Sequence, residues 1–112
     1  MNFKSKNCLN EGMIMSCYFM VTIYVDQPEK RVLYDEYIAK VKPVIESYGG
    51  EYLVRSEKLE VFAGDWKPDR IIVIRFPDRN TLEHCFGSEE YRAIASLRTE
   101  SVRTQAVIID ED

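Results

Sequence analysis

The residues predict an α+β fold: a four-stranded antiparallel sheet carrying two helices on one face, in the order β-α-β-β-α-β. Three observations predict it. Apolar residues recur at period two in Phe19, Val21, Ile23 and Val25, and a β-branched run spans Arg70 to Phe76. Leu33, Tyr37, Val41, Ile45 and Tyr48 step by four, four, four and three, which keeps them on one face of a helix. Turn formers at Asp26-Gln27-Pro28, Gly49-Gly50, Gly64 to Asp69 and Pro77-Asp78 divide the chain between these segments.

The first strand is expected from about Cys17 to Val25 and ends at Pro28, which cannot donate to a ladder. Pro28 then opens the first helix, with Glu29 near the positive end of its dipole. That helix runs to Tyr48, with Pro43 inside it, and Gly49-Gly50 supplies the left-handed stop. The second strand begins at Glu51 and covers Tyr52 to Arg55. Leu59 to Ala63 is its continuation or a short companion after a turn or bulge near Ser56-Glu57-Lys58. Arg70 to Phe76 is the third strand. Asn80 with Glu83 resembles a capping box for the second helix. Gly87 breaks that helix, Ser88 re-caps it, and Tyr91, Ile94, Ala95 and Leu97 to Val102 continue its apolar face. The fourth strand is Gln105 to Ile109. This order is the ferredoxin-like arrangement.

At 112 residues the length gives a single domain, read as 15–112 behind a polar N-terminal tail, 1–14. With 46% hydrophobic and 30% charged residues the chain is of ordinary globular composition, which excludes disordered, collagen-like and coiled-coil classes. Lys and Arg total 15 against 19 Asp and Glu, a net charge of −4, the wrong sign for a partner that is nucleic acid. Cys8, Cys17 and Cys85 form no CxxC pair and are odd in number, so a reducing, cytoplasmic setting fits better than a disulfide framework. The apolar stretch Met13 to Val25 is too short to cross a bilayer and has no cleavage site of the small-x-small kind, so neither a membrane partner nor a signal peptide is expected.

The second face of the sheet is the unusual feature. Ile71 and Val73 oppose Ile72, Ile74 and Phe76; Ala106 and Ile108 oppose Val107 and Ile109; Tyr18, Met20 and Tyr24 lie opposite the helix-facing set of the first strand. Several hundred Å² of apolar surface would result, at or above the ~300–600 Å² of the largest patch on a typical monomer. A second copy laid against the same face is the simplest cover, giving a two-fold homodimer; a monomer shielded by its own tail is the competing arrangement.

Arg55, Asp65, Trp66 and Arg70 offer an acid, guanidinium groups and an aromatic plane of the kind that holds a small carboxylate or planar compound, and Tyr18 joins them as a candidate ligand contact. The same residues also suit structural roles: Asp65 capping its loop, Trp66 plugging the barrel end and Arg70 pairing with Asp65. For acid–base chemistry the candidates are His84, the sole histidine, with Tyr48, Tyr91 and again Tyr18. His84 beside Cys85 is no catalytic pair, because adjacent helical residues point about 100° apart. Neither a metal-ligand spacing nor a phosphate-binding glycine loop is found, so no metal and no cofactor is expected.

Tyr48-Gly49-Gly50, Leu53-Val54-Arg55, Glu60-Val61, Gly64-Asp65-Trp66, Pro68, Arg70, Phe76-Pro77, Ser88-x-Glu90-Tyr91 and Arg98 resemble, in order and spacing, the small bacterial domains known as domain of unknown function 1330. The resemblance spans about Tyr18 to Ile109. It implies the dimeric α+β barrel superfamily, which also holds cofactor-independent monooxygenases, haem-degrading enzymes and small ligand-binding regulators. It implies no particular reaction. Two departures stand out: Ser56-Glu57 where the family usually has Gly-Gly, and Cys85 where it usually has Trp. The resulting expectation is a cytoplasmic homodimer binding a small, partly aromatic or acidic metabolite between sheet and helices. Cofactor-independent oxygenase or isomerase chemistry would accompany it, with a non-catalytic dimer module as the alternative.

Overall fold

The computed structural model describes residues 15–111; the expected tail, and Cys8 with it, lies outside them. The elements are β1 (Cys17–Tyr24), a short 3-10 turn (Pro28–Lys30), α1 (Arg31–Ser47), β2 (Glu51–Ser56), β3 (Arg70–Phe76), α2 (Arg79–Phe86), α3 (Glu89–Thr99) and β4 (Arg103–Asp110). The strands form one antiparallel sheet in the order β2-β3-β1-β4. This is the α+β arrangement expected, with the second helical segment divided at Gly87.

Strand parity decides what is buried. Cys17, Val21 and Ile23 of β1 and Ile72, Ile74 and Phe76 of β3 point to one face and pack with Tyr34, Tyr37, Val41 and Ile45 of α1, Leu82 and Cys85 of α2, and Tyr91 of α3. The opposite parity builds the outer face. There the register sets Met20 between Val73 and Val107, and Tyr18 between Arg75 and Ile109. Val107 is 55% exposed, as are Ile109 two residues along β4 and Val54 at the β2 end of the same row, to lesser degrees.

Local chemistry fixes the ends. Gly49 takes φ +82°, the left-handed stop that follows α1. A Cβ on Gly50 would sit 2.5 Å from Cγ2 of Ile45 and 2.9 Å from its carbonyl oxygen, so the second glycine is needed for close packing. Ser88 caps α3 by accepting from the Tyr91 amide at 3.1 Å.

Several boundaries differ from the sequence expectation. The α-helix proper starts at Arg31 with no side-chain cap, and its first fully buried residue is Tyr34 rather than Leu33. Leu59 to Ala63 forms no strand: the β2–β3 ladder reaches Ser56 opposite Ile71, one residue from the start of β3, so no partner backbone is left. Leu59, Val61 and Phe62 are exposed on this arm, Phe62 completely. The irregularity falls between Tyr52 and Val54 instead of near Ser56-Glu57-Lys58. Helix α3 stops at Thr99, and Ser101 and Val102 are buried in the turn into a longer β4.

The cap of α2 is Asp78, not Asn80. Its carboxylate accepts from the Thr81 amide at 2.7 Å, and that bond holds its pKa below the usual carboxylate value. Asp78→Ala is expected to cost about 1 kcal/mol in urea unfolding at neutral pH. Because the folded-state pKa is depressed, this contribution is fully present above the ordinary Asp pKa and is lost as the pH falls from there through the lowered folded-state value. The Asp78→Ala penalty should therefore vanish at low pH, and Asn80→Ala should leave stability nearly unchanged.

Candidate functional site

Between the sheet and the helices lies a cavity of about 120 Å³. Its floor is Phe19, Val21 and Ile23 of β1 with Ile72 and Ile74 of β3; its roof includes Ile38, Val41 and Ile45 of α1 and Phe86 of α2. The alternation that buries one sheet face thus also makes the cavity walls apolar.

Polar groups reach the cavity at defined places. Tyr37 and Tyr91 are both buried, with hydroxyl oxygens 3.0 Å apart. Arg98 Nε donates to the Tyr91 oxygen at 3.3 Å, and its NH1 donates to Thr104 Oγ1 of β4 at 2.8 Å. Tyr37, Tyr91, Arg98 and Thr104 all line the cavity. Burial, reinforced by the neighbouring Tyr91, pushes the Tyr37 pKa well up, and burial pushes Tyr52 up to about 12. Both phenols are therefore neutral near pH 7 and act by hydrogen bonding. Either hydroxyl of this pair can donate; a tyrosine oxygen has two lone pairs, so when Tyr37 donates alongside Arg98 the Tyr91 proton is left for a third partner.

A second polar group stands across the sheet. The Tyr34 hydroxyl, on a side chain only 1% exposed, lines the cavity and has no hydrogen-bond partner among the described residues. The guanidinium of Arg70 lies 5.8 Å from the centre of its ring and that of Arg31 5.6 Å. Arg70 Nε is likewise buried without a partner among the described residues, while its NH1 approaches Glu57 at 3.6 Å. Glu57 also pairs with Arg31 at 2.9 Å. Arg55, opposite Ile72, faces the same side and stacks 4.9 Å over the ring of Tyr52, another cavity residue.

Among the residues singled out from the sequence, Tyr91 lies in the cavity wall, and Arg70 and Arg55 flank it through Tyr34 and Tyr52. The others are elsewhere. Tyr48 ends α1 and packs against the core without reaching the cavity, and His84 is exposed on α2. Asp65 is exposed in its loop, and Arg70 pairs with Glu57 instead of Asp65. Trp66 lies on the outer face beside Met20, Thr22 and Val107, with Nε1 donating to the Tyr24 hydroxyl at 2.9 Å. Tyr18 is also on that face, its hydroxyl 3.2 Å from Glu111 Oε2. Tyr34, Tyr37, Tyr52, Arg98 and Thr104 were not among the site candidates read from the sequence. Arg98 carried a signal, since it falls seven residues after Tyr91 on an otherwise apolar stripe.

Cys85, fully buried, has its thiol pushed up to about 11 by burial and by Glu90. At pH 8 the thiolate fraction is about 0.1%, so Cys85 is expected to resist iodoacetamide until the protein is unfolded. Peptide mapping checks this, and fast native labelling of Cys85 would contradict the packing. Among the described residues no group of three or more His, Cys, Asp or Glu is placed to hold a metal ion, and no helix is long and apolar enough to cross a membrane.

The model of the family described as domain of unknown function (DUF1330) matches residues 16–112. No curated protein matches the sequence. Solved structures of similar fold include RPA0582, a protein of unknown function from Rhodopseudomonas palustris, 15% identical with a TM-score of 0.73 over 88% of this chain and 83% of its own. A dimeric ferredoxin-like protein of unknown function from Jannaschia sp. CCS1 is 12% identical, with a TM-score of 0.68 over 87% and 98% of the two chains. SnoaB, a cofactor-independent oxygenase from Streptomyces nogalater, is 8% identical, with a TM-score of 0.55 over 84% and 90%. At these identities the likeness is one of fold.

Proposed function

The chain belongs to the DUF1330 family, and from that premise we propose that it is a cytoplasmic homodimer in which each copy binds a small metabolite between its sheet and helices. The observation that carries the reading is the apolar cavity with the Tyr37–Tyr91–Arg98 chain on its wall. Apolar walls with a few convergent polar groups are the usual form of a small-molecule site. The reaction class that suits it is cofactor-independent oxygenation or isomerisation, with Tyr91 as the proton-handling group and Arg55 and Arg70 as flanking positive charges. The likeness in fold to the oxygenase SnoaB supports that class.

The homodimer is supported by the outer face, where Met20, Val73, Val107 and Ile109 are contiguous across three strands, and by the likeness in fold to the dimeric ferredoxin-like protein from Jannaschia. In this proposal Tyr18 and Trp66 serve the interface rather than the ligand, and Asp65 lies at its edge. The second reading, a non-catalytic dimer module, draws on the same exposed face.

Native mass spectrometry of protein purified from its own host separates the two. A dimer carrying a small-molecule adduct per chain, lost on unfolding, is the expected result. A dimer without adduct, whose melting temperature no compound in a metabolite panel moves, favours the structural module.

A further inference from the structure

Arg98 differs from the other arginines that touch the core. Arg31 and Arg70 are each paired with Glu57. Arg98 is partly buried, borders the cavity, and has only neutral partners, Tyr91 and Thr104, with no carboxylate in salt-bridge range among the described residues. A guanidinium withdrawn from water without a counter-charge is costly unless an anion meets it. The register gives its place: Arg70, Ile23 and Thr104 form one row across β3, β1 and β4. At about 4.8 Å per strand spacing, the Arg98–Thr104 side and the Arg70–Tyr34 side are separated by about 10 Å. The second side holds the buried Tyr34 hydroxyl, which also lacks a protein partner among the described residues.

We infer that the ligand of this cavity is a small monocarboxylic acid. Its carboxylate meets Arg98 and the free proton of Tyr91, its compact apolar body lies over Val21, Ile23 and Ile72, and a hydrogen-bonding group at its far end meets Tyr34. This rests on the proposed small-molecule reading of the cavity and specifies its chemistry. Size limits the body: a cavity of 150 Å³ takes benzene, so one of about 120 Å³ takes about five or six non-hydrogen atoms. Arg98 is the one arginine among the described residues that line the cavity, which matches one negative charge, and its planar fork suits a carboxylate. Arg98 is in this assignment a binding residue; Thr104 is a positioning residue that orients the fork.

Butyrate and its neutral isostere butyramide, each within that size, are the probes, followed by NMR of the methyl groups of the full chain. Both should shift Val41, Ile72 and Ile74 in the cavity and leave Val107 and Ile109 unmoved, with butyrate binding at least tenfold tighter. Arg98→Met should abolish that preference while retaining butyramide, and Arg98→Lys should keep part of it; if Arg98→Met does not fold, the lysine variant against the native chain still decides. Equal affinity for the two probes, or a preference that survives Arg98→Met, overturns the assignment and leaves the cavity reading intact. Absence of any cavity shift with either probe overturns both.

Discussion

Met20→Asp is expected to convert the proposed homodimer into a folded monomer. Met20 is central on the outer face, between Val73 and Val107 in the register, and it contributes nothing to the buried cluster on the helix side. Two copies face to face would bury a carboxylate from each with no positive partner among its immediate cross-strand neighbours. A buried unpaired charge costs several kcal/mol, so the dimer should weaken by at least about a thousandfold. Sedimentation equilibrium at micromolar concentration would show the native protein at twice the chain mass and the variant at one, with unchanged far-ultraviolet circular dichroism. Trp66 lies on the same face, so its emission should move to longer wavelength in the variant. A variant that remains dimeric would mean that another surface joins the copies.

The second large effect is expected at Tyr91. Tyr91→Phe keeps the ring that packs edge-on against Phe86, with centroids 5.0 Å apart, but removes the oxygen shared by Tyr37 and Arg98. The buried Tyr37 hydroxyl and the partly buried Arg98 Nε then lose their shared partner, at a cost of about 1–3 kcal/mol. Adding Tyr37→Phe removes one of the stranded hydroxyls, so the double variant should be more stable than the sum of the single losses predicts. Urea unfolding of the four proteins measures this, and strict additivity would show that the hydroxyls do not act as a unit.

The parts of the fold legible in the sequence were those set by local chemistry. The β3 limits followed from β-branched residues between an Asp-Pro-rich loop and Pro77, and the break at Gly87 with the Ser88 cap followed from residues adjacent in the chain. The Asp78 cap was equally local, yet Asn80–Glu83 offered the same spacing, and the choice between them turned on where the helix axis begins. The arm at Leu59–Ala63 has strand-like alternation but no partner, a fact settled only by the register of β2 on β3. The site was less legible because its contacts are long-range: Tyr37 meets Tyr91 54 positions away. Trp66 shares a loop with Asp65 and lies four residues from Arg70, but the outer face holds its indole while Arg70 turns toward Tyr34.

A crystal structure of the protein isolated from its native host, at a resolution that shows individual side chains, tests the central claim most directly. The account predicts two copies joined through β1, β3 and β4, each enclosing a space bounded by Tyr34, Tyr37, Tyr91 and Arg98, with density for a small acid inside it. Collapse of Tyr37, Phe86 and Tyr91 onto Val21 and Ile72, leaving no interior space, would contradict it.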